Sequence, residues 1–215
     1  GRRSYASGAS SLAVGTNANA SGIVATAVGG GAKASEVMAS SFGISANASG
    51  RGSLALGASS NASAVDALAT GSNSVASAMN AVAIGQKSNS SAVNAIALGQ
   101  ASNASAVSAV VIGTQAKAIH ENSVTLGSYS SSAANNFDPT AKALSSFDDK
   151  ATGTTVNYNG TSSTQKGAVS VGDGSLVRQI QNVGAGRITA TSNDAVNGSQ
   201  LYQAYYNAGF NIQNN

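Results

Sequence analysis

The chain has 215 residues, a formal net charge of +3, 9% charged and 5% aromatic residues, 25 Gly, one Pro and no Cys. The absence of Cys excludes disulfides, Cys-ligated zinc and thiol chemistry. Lys and Arg outnumber Asp and Glu by six to three in residues 1–127 and match them five to five in 128–215, so no clustered basic stripe of a nucleic-acid binder is present. No apolar run approaches the eighteen residues of a membrane span, and the start at Gly1 suggests an excised piece of a longer protein with its membrane anchor outside this sequence. Apolar residues make up 42%, but Ala supplies much of that share. An Ala core buries little area per residue against the conformational entropy of folding, so a repetitive stack, oligomerisation or both are expected.

In chain order, the first feature is a repeat. Residues 80–93 read NAVAIGQKSNSSAV and residues 94–107 read NAIALGQASNASAV, identical at ten of fourteen positions. Gly15, Gly29, Gly43, Gly57, Gly71, Gly85, Gly99, Gly113 and Gly127 follow one another at fourteen-residue intervals with no insertion. Fourteen is two heptads, but the larger side chains before each Gly, such as Val82 and Ile84, are two apart, which is the strand period. Gly, Ser and Asn in every unit weaken a helix as well. Each unit therefore predicts one coil of a solenoid: strand, Gly turn, second strand, turn.

The second strand alternates. Small residues stand three and five positions after each Gly, as in Ala18 and Ala20, with Asn19, Asn47, Asn61, Asn103, Lys33 or Lys117 between them and Ser beyond. That strand predicts one packed and one wet face. The first strand carries Val, Ile or Leu on one face and Ala on the other, and both faces call for burial, which predicts self-association along the stack. The expected arrangement puts the larger residues in the lumen and leaves Ala at close subunit contacts. Nine coils at the usual strand spacing give a rod of roughly 40 Å, with ladders of Ser and Asn along it.

Other chemistries fit less well. Hexapeptide acyltransferase helices have a period of six, calcium rolls need repeated Asp, and ice-binding solenoids need a regular Thr ladder. VGGGAKAS (28–35) lacks the complete phosphate-loop phrase. His120, the one His, and Glu121 read as a solvated turn rather than a metal site, and Asp148-Asp149 reads as a loop with no partner nucleophile or base. Asn-x-Ser phrases such as Asn47-Ala48-Ser49 are coil chemistry. The chain predicts no enzyme, no metal and no cofactor.

After Gly127 the register is lost. Residues 128–167 read as an insertion, with a hairpin around Asn159-Gly160. AVSVG (168–172) restates the repeat phrase, so the stack is interrupted and resumed. Residues 193–209 read as a helix capped by Asn193 or Asp194, carrying Leu201, Ala204 and Ala208 on one face and ending at Gly209.

The fourteen-residue repeats followed by SVGDGSLVRQIQNVGAG and SNDAVNGSQL closely resemble trimeric autotransporter adhesins. Residues 1–127 resemble a YadA-like head and 168–202 its neck, with 128–167 an insertion and 203–215 a short helix end and the start of a further module. GFNIQ (209–213) is similar to such a start, with Phe210 where Trp is common. The resemblance implies an all-β, left-handed parallel β-roll in an intertwined homotrimer, with the neck crossing between chains. Arg178, Gln179, Asn182, Val183, Asp194, Ala195, Val196, Gln200 and Leu201 fall on the neck pattern; Gly198 and Gly184-Ala185-Gly186 depart from it.

The expected function is that of a Gram-negative surface adhesin head, anchored in the outer membrane through a domain outside this sequence. Its expected partners are two further copies of itself and host matrix proteins or cell-surface receptors, with no nucleic acid. Autoagglutination is a further expected activity. The alternative is a structural spacer that binds nothing and projects another adhesive domain.

Overall fold

A computed structural model describes residues 1–132, 146–149, 153–157, 167–189 and 192–208. It divides into two compact units, Gly1–Pro139 with Lys166–Val177, and Thr140–Gln165 with Arg178–Asn215.

In the first unit each fourteen-residue repeat contributes a three-residue strand, such as Val82–Ile84, and a two-residue strand, such as Asn89–Ser90. Like strands of successive coils pair in parallel at an offset of one repeat: Val82 with Ile96, Ala83 with Ala97, Ile84 with Leu98. Among the described residues this builds a ten-stranded sheet of the longer strands and a nine-stranded sheet of the shorter ones. The same atoms bond in every coil: Leu68 N–H donates to Ala81 O, Val82 N–H to Ala95 O and Ile96 N–H to Ala109 O, each at 2.9 Å. Insertion-free repetition thus fixes the register, because any slip would break the whole ladder.

The turns explain why the strands are so short. Every seventh residue of the coils adopts a left-handed backbone, for example Asn73 (φ +57°), Asn80 (+57°), Lys87 (+58°), Asn94 (+58°) and Ala101 (+53°). Asn recurs there because its short amide tolerates that region. The repeat Gly needs more. Gly85 has φ +131°, and a Cβ on it would lie 2.5 Å from the Gly99 carbonyl oxygen. The glycines stack backbone on backbone, and no side chain fits between them.

Four small side chains per coil line the lumen. Around Gly85 they are Ala81, Ala83, Ser88 and Ser90, all fully buried. The structure therefore reverses the expected orientation of the longer strand: Ala points into the roll, while Val82 and Ile84 point out of it and are only half-buried. The physical reason is the closeness of the two sheets. Four residues, Gly85–Ser88, join Ile84 to Asn89, and the narrow space behind so short a turn excludes branched chains. Among the described residues the largest fully buried side chain is Val111. Two of the Ser residues that replace Ala are satisfied locally: the Ser74 and Ser88 hydroxyls donate to Gly71 O and Gly85 O at 2.8 Å.

Val169–Ser170 adds the tenth strand, with Val169 on Val124 and Ser170 on Thr125. The Ala168 N–H also donates to Ser123 Oγ, 45 residues back. In the second unit Ser146–Asp149 and Thr154–Asn157 form an antiparallel pair. Asp148 and Asp149 thus lie on a strand, not the expected loop, because Asp149 pairs with Thr154 across the turn. The hairpin expected at Asn159-Gly160 lies outside the described residues, as do Gly209 and residues 210–213.

The helix runs Gly198–Asn207 and is capped by Asn197, not by Asn193 or Asp194. Asn197 Oδ1 accepts from the Gln200 N–H at 3.1 Å while Gln200 Oε1 accepts from the Asn197 N–H at 3.2 Å. This reciprocal capping box satisfies two orphan donors. Asp194 is committed elsewhere.

Candidate adhesive and assembly surfaces

The outward residues of the longer strands form two columns that run the length of the sheet. One includes Leu54, Leu68, Val82, Ile96 and Val110, and the other Leu56, Ile84, Leu98, Ile112 and Leu126. They stay partly open to water; Leu98 is 40% exposed and Ile112 43%. From Leu54 to Leu126 the strip is broken only by Thr70, between Leu56 and Ile84, and an apolar strip across so many coils exceeds what a soluble monomer leaves bare. At roughly 25 cal/mol per Å² of apolar area removed from water, covering it is a large driving force for association.

The shorter strands face the other way with polar chains. Asn19, Asn47, Asn61, Asn89 and Asn103, with Lys33 and Lys117, form one outward column, in which Tyr5 and Val75 are the exceptions. Amide ladders tie coil to coil: Asn47 Nδ2 donates to Asn61 Oδ1 at 2.9 Å, and Asn89 Nδ2 to Asn103 Oδ1 at 3.2 Å. Ser21, Ser35, Ser49, Ser63, Ser77, Ser91 and Ser105 form a parallel column beside it. On the turns, Asn80 Nδ2 donates to Asn94 Oδ1 at 2.9 Å and Gln100 Nε2 to Gln86 Oε1 at 3.0 Å. Each ladder leaves hydrogen-bonding capacity towards solvent at a fixed spacing, which suits a ligand that is itself repetitive.

Among the described residues no group of three or more His, Cys, Asp or Glu is placed to hold a metal. His120 sits half-buried in its turn and Glu121 is exposed. No helix of the described residues is long and apolar enough to cross a membrane.

In the second unit, Val183, Gly186, Asn197 and Gln200 come together. Asn197 Nδ2 donates to Val183 O at 3.0 Å, Gln200 Nε2 to Gly186 O at 2.6 Å, and the Gly186 N–H to Gln200 Oε1 at 2.9 Å. Asp194 receives Arg187 through Nε at 2.8 Å, Nη2 at 3.1 Å and the backbone N–H at 3.0 Å. The guanidinium, and after it the backbone N–H, hold the Asp194 carboxyl below its ordinary range, and Asp194 in turn raises Arg187. Arg178, Gln179 and Asn182 are exposed; Gln179 Oε1 accepts from Gln181 Nε2 at 3.3 Å, and Asn182 has φ +59°. Sequence reasoning missed Arg187 and Asn197 as partners; the Asn-x-x-Gln spacing of a capping box marks Asn197.

Several apolar chains in this segment stay largely open to water. Ile180, Ile188, Val196 and Leu201 are each at least half exposed. Ile180, Val183, Ala195 and Val196 also line an open pocket of about 680 Å³.

Comparison with known proteins places these surfaces in context. The profile for the YadA head domain repeat (2 copies) matches residues 6–32, 34–60, 62–88, 76–102, 90–116 and 104–130, which together exceed half the chain. The profile for the coiled stalk of trimeric autotransporter adhesin matches residues 179–215. The autotransporter adhesin BtaE of Brucella suis biovar 1 (strain 1330) is 54% identical over 52 residues, which is 23% of this chain and 7% of BtaE. The chain therefore corresponds to a small part of the length of that relative. Among solved structures, the collagen-binding domain of the Yersinia adhesin YadA has a TM-score of 0.59 at 22% identity, covering 92% of this chain and 98% of that one. At that identity the likeness concerns the fold alone. The C-terminal YadA-like domain of BPSL2063 from Burkholderia pseudomallei is 36% identical with a TM-score of 0.42, covering 50% of this chain and 47% of that one.

Proposed function

We propose that this chain, which belongs to the trimeric autotransporter adhesins with a YadA-type head, is an adhesive head and neck that works as a homotrimer at the surface of a Gram-negative bacterium. It is an adhesin-type protein and not an enzyme. The observation that carries the proposal is the division of the roll into one apolar and one polar outer sheet. In three copies, the strip through Val82, Ile84, Ile96 and Leu98 would turn inwards and the Asn, Lys and Ser columns outwards. The neck would continue the assembly: Ile180, Ile188, Val196 and Leu201 would meet the equivalent chains of neighbouring copies, with the Val183–Gly186–Asn197–Gln200 network and the Arg187–Asp194 pair holding each strand in shape. Residues 1–127 would serve as head and 168–202 as neck.

The outer face would attach to host matrix proteins or cell-surface receptors, and between bacteria it would support autoagglutination. Many weak contacts to a repetitive ligand, multiplied by three copies, give avidity without any single strong site. Collagen is the first ligand to test, because the fold is shared with a YadA domain described as collagen-binding.

Light scattering tests the assembly and solid-phase binding tests adhesion. The expected result is a trimer that binds at least one of collagen, fibronectin, laminin or whole cells. Replacing outer Asn89, Asn103 and Lys117 with Ala should weaken binding at constant length. A stable monomer would refute the assembly. Binding that depends on the number of coils but ignores the outer residues would make the head a spacer.

A further inference from the structure

We propose that the end of the polar sheet carries a binding site for one pyranose ring of a neutral glycan. The assignment deepens the adhesive reading and rests on it for its biological use. Over most of the roll each coil repeats the surface of the last. The repetition stops after the strand Lys117–Ala118, whose next neighbour is only an isolated bridge from Lys117 to Ser131. There Gln115, Lys117, Tyr129, Ser130, Ser131 and Asp173 line a half-open pocket of about 220 Å³, roomy enough for one six-membered sugar ring.

The walls are fixed before any ligand arrives. The Tyr129 N–H donates to Thr114 O at 2.8 Å, the Lys117 N–H to Ser130 O at 2.9 Å, and the Ser131 N–H to Gly172 O at 2.8 Å. Asp173 Oδ1 accepts from the Ser175 N–H at 3.0 Å, the Ser175 hydroxyl at 2.9 Å and the Leu176 N–H at 2.9 Å. A carboxylate clamped in this way costs little further ordering on binding.

The side chains match the two sides of a sugar. A pyranose has an apolar C–H face and a rim of hydroxyls that both donate and accept. Tyr129 sits at the left-handed turn position (φ +63°), with its side chain half exposed. Asn73, Lys87, Ala101 and Gln115 occupy that position in the four preceding coils, so this aromatic face is a local feature of the pocket. It offers the stacking surface. The Gln115 amide, Ser131 hydroxyl, Asp173 carboxylate and Lys117 ammonium supply acceptors and donors for the rim. One positive and one negative side chain in the same pocket favour a neutral ligand over an anion.

Saturation-transfer difference NMR on the intact chain tests the site with methyl β-galactoside, methyl α-mannoside and methyl β-N-acetylglucosaminide at millimolar concentration. At least one should show transfer, with affinity falling about tenfold or more in Tyr129→Ala and in Gln115→Ala. Ala101 already occupies the equivalent turn position, so Tyr129→Ala should fold, which circular dichroism checks. Tyr129→Phe should keep the transfer, and so should Lys87→Ala in an earlier coil. No transfer from any of the three glycosides would overturn the proposal. So would transfer that survives Tyr129→Ala, or transfer abolished by inorganic sulfate, which would make the pocket an anion site. Loss of cell adherence with glycoside transfer intact would count against the adhesive reading alone.

Discussion

Gly85→Ala is the sharpest test of how the roll is built. Two costs add. The backbone at φ +131° lies where L side chains are strained, at about 1–3 kcal/mol. The new Cβ would lie 2.5 Å from Gly99 O and 2.6 Å from Gly99 C. Both are backbone atoms, so the next coil must move, and forced overpacking costs about 1–3 kcal/mol more. A loss of about 4 kcal/mol, at roughly 2–4 °C per kcal/mol for a domain of this size, lowers the Tm by about 8–16 °C. Gly31→Asn is the matched control. Gly31 has φ +70° and its nearest neighbour would be Ser45 Oγ at 3.6 Å, an ordinary contact. Asn17 and Ser45 already hold that conformation in the adjacent coils, and Asn tolerates it, so Gly31→Asn should change stability by less than about 1 kcal/mol. Thermal unfolding followed by circular dichroism at one protein concentration reads both. A Gly85→Ala melt within about 2 °C of the parent, or a Gly31→Asn loss as large as that of Gly85→Ala, would refute the reasoning.

Ser41 places a buried hydroxyl without a hydrogen-bond partner in the lumen column between Ala27 and Ala55; Ser41→Ala should raise stability by about 1 kcal/mol in urea unfolding. Val24 is a β-branched residue at φ +58°, so Val24→Asn should raise the Tm, for a gain of about 1 kcal/mol. In the second unit, Arg187 holds the Asp194 carboxyl below its ordinary 3.8. Its folded pKa is the lower one, so its stabilisation is complete above the unfolded value and is lost as pH falls through the folded one. An NMR titration should place the Asp194 midpoint below 3.8, and Arg187→Ala should return it towards that value. The pair is exposed, so the effect on global stability should be small.

The fourteen-residue period, the two strands per coil and the parallel stacking can all be read from the Gly register and the spacing of Val82 and Ile84, because a solenoid restates its local rule in every unit. The direction of the longer strand cannot. Ala81 and Ala83 alternate with Val82 and Ile84, both sets are apolar, and only the distance between the sheets decides which set fits inside. The helix start was ambiguous for a related reason: Asn193, Asp194 and Asn197 all cap well, and the choice depends on Arg187 drawing Asp194 away. The pocket at Tyr129 has no local signature, because Asp173 lines it from far along the chain, and no local pattern reports a neighbour that distant in sequence.

Val169 takes the place on Val124 that the residue fourteen positions on would otherwise take, and the sheet accepts it in register. A coil is held by the coils above and below it and asks nothing of the chain path between them. The register of the sheet therefore does not depend on the number of residues between Ser132 and Gly167. Foreign sequence of almost any length can be spliced in there, since loop closure grows only slowly with length, and the stack on either side would close as before. Peptides or whole folded domains inserted between Ser132 and Gly167 would be carried in as many copies as the assembly has chains.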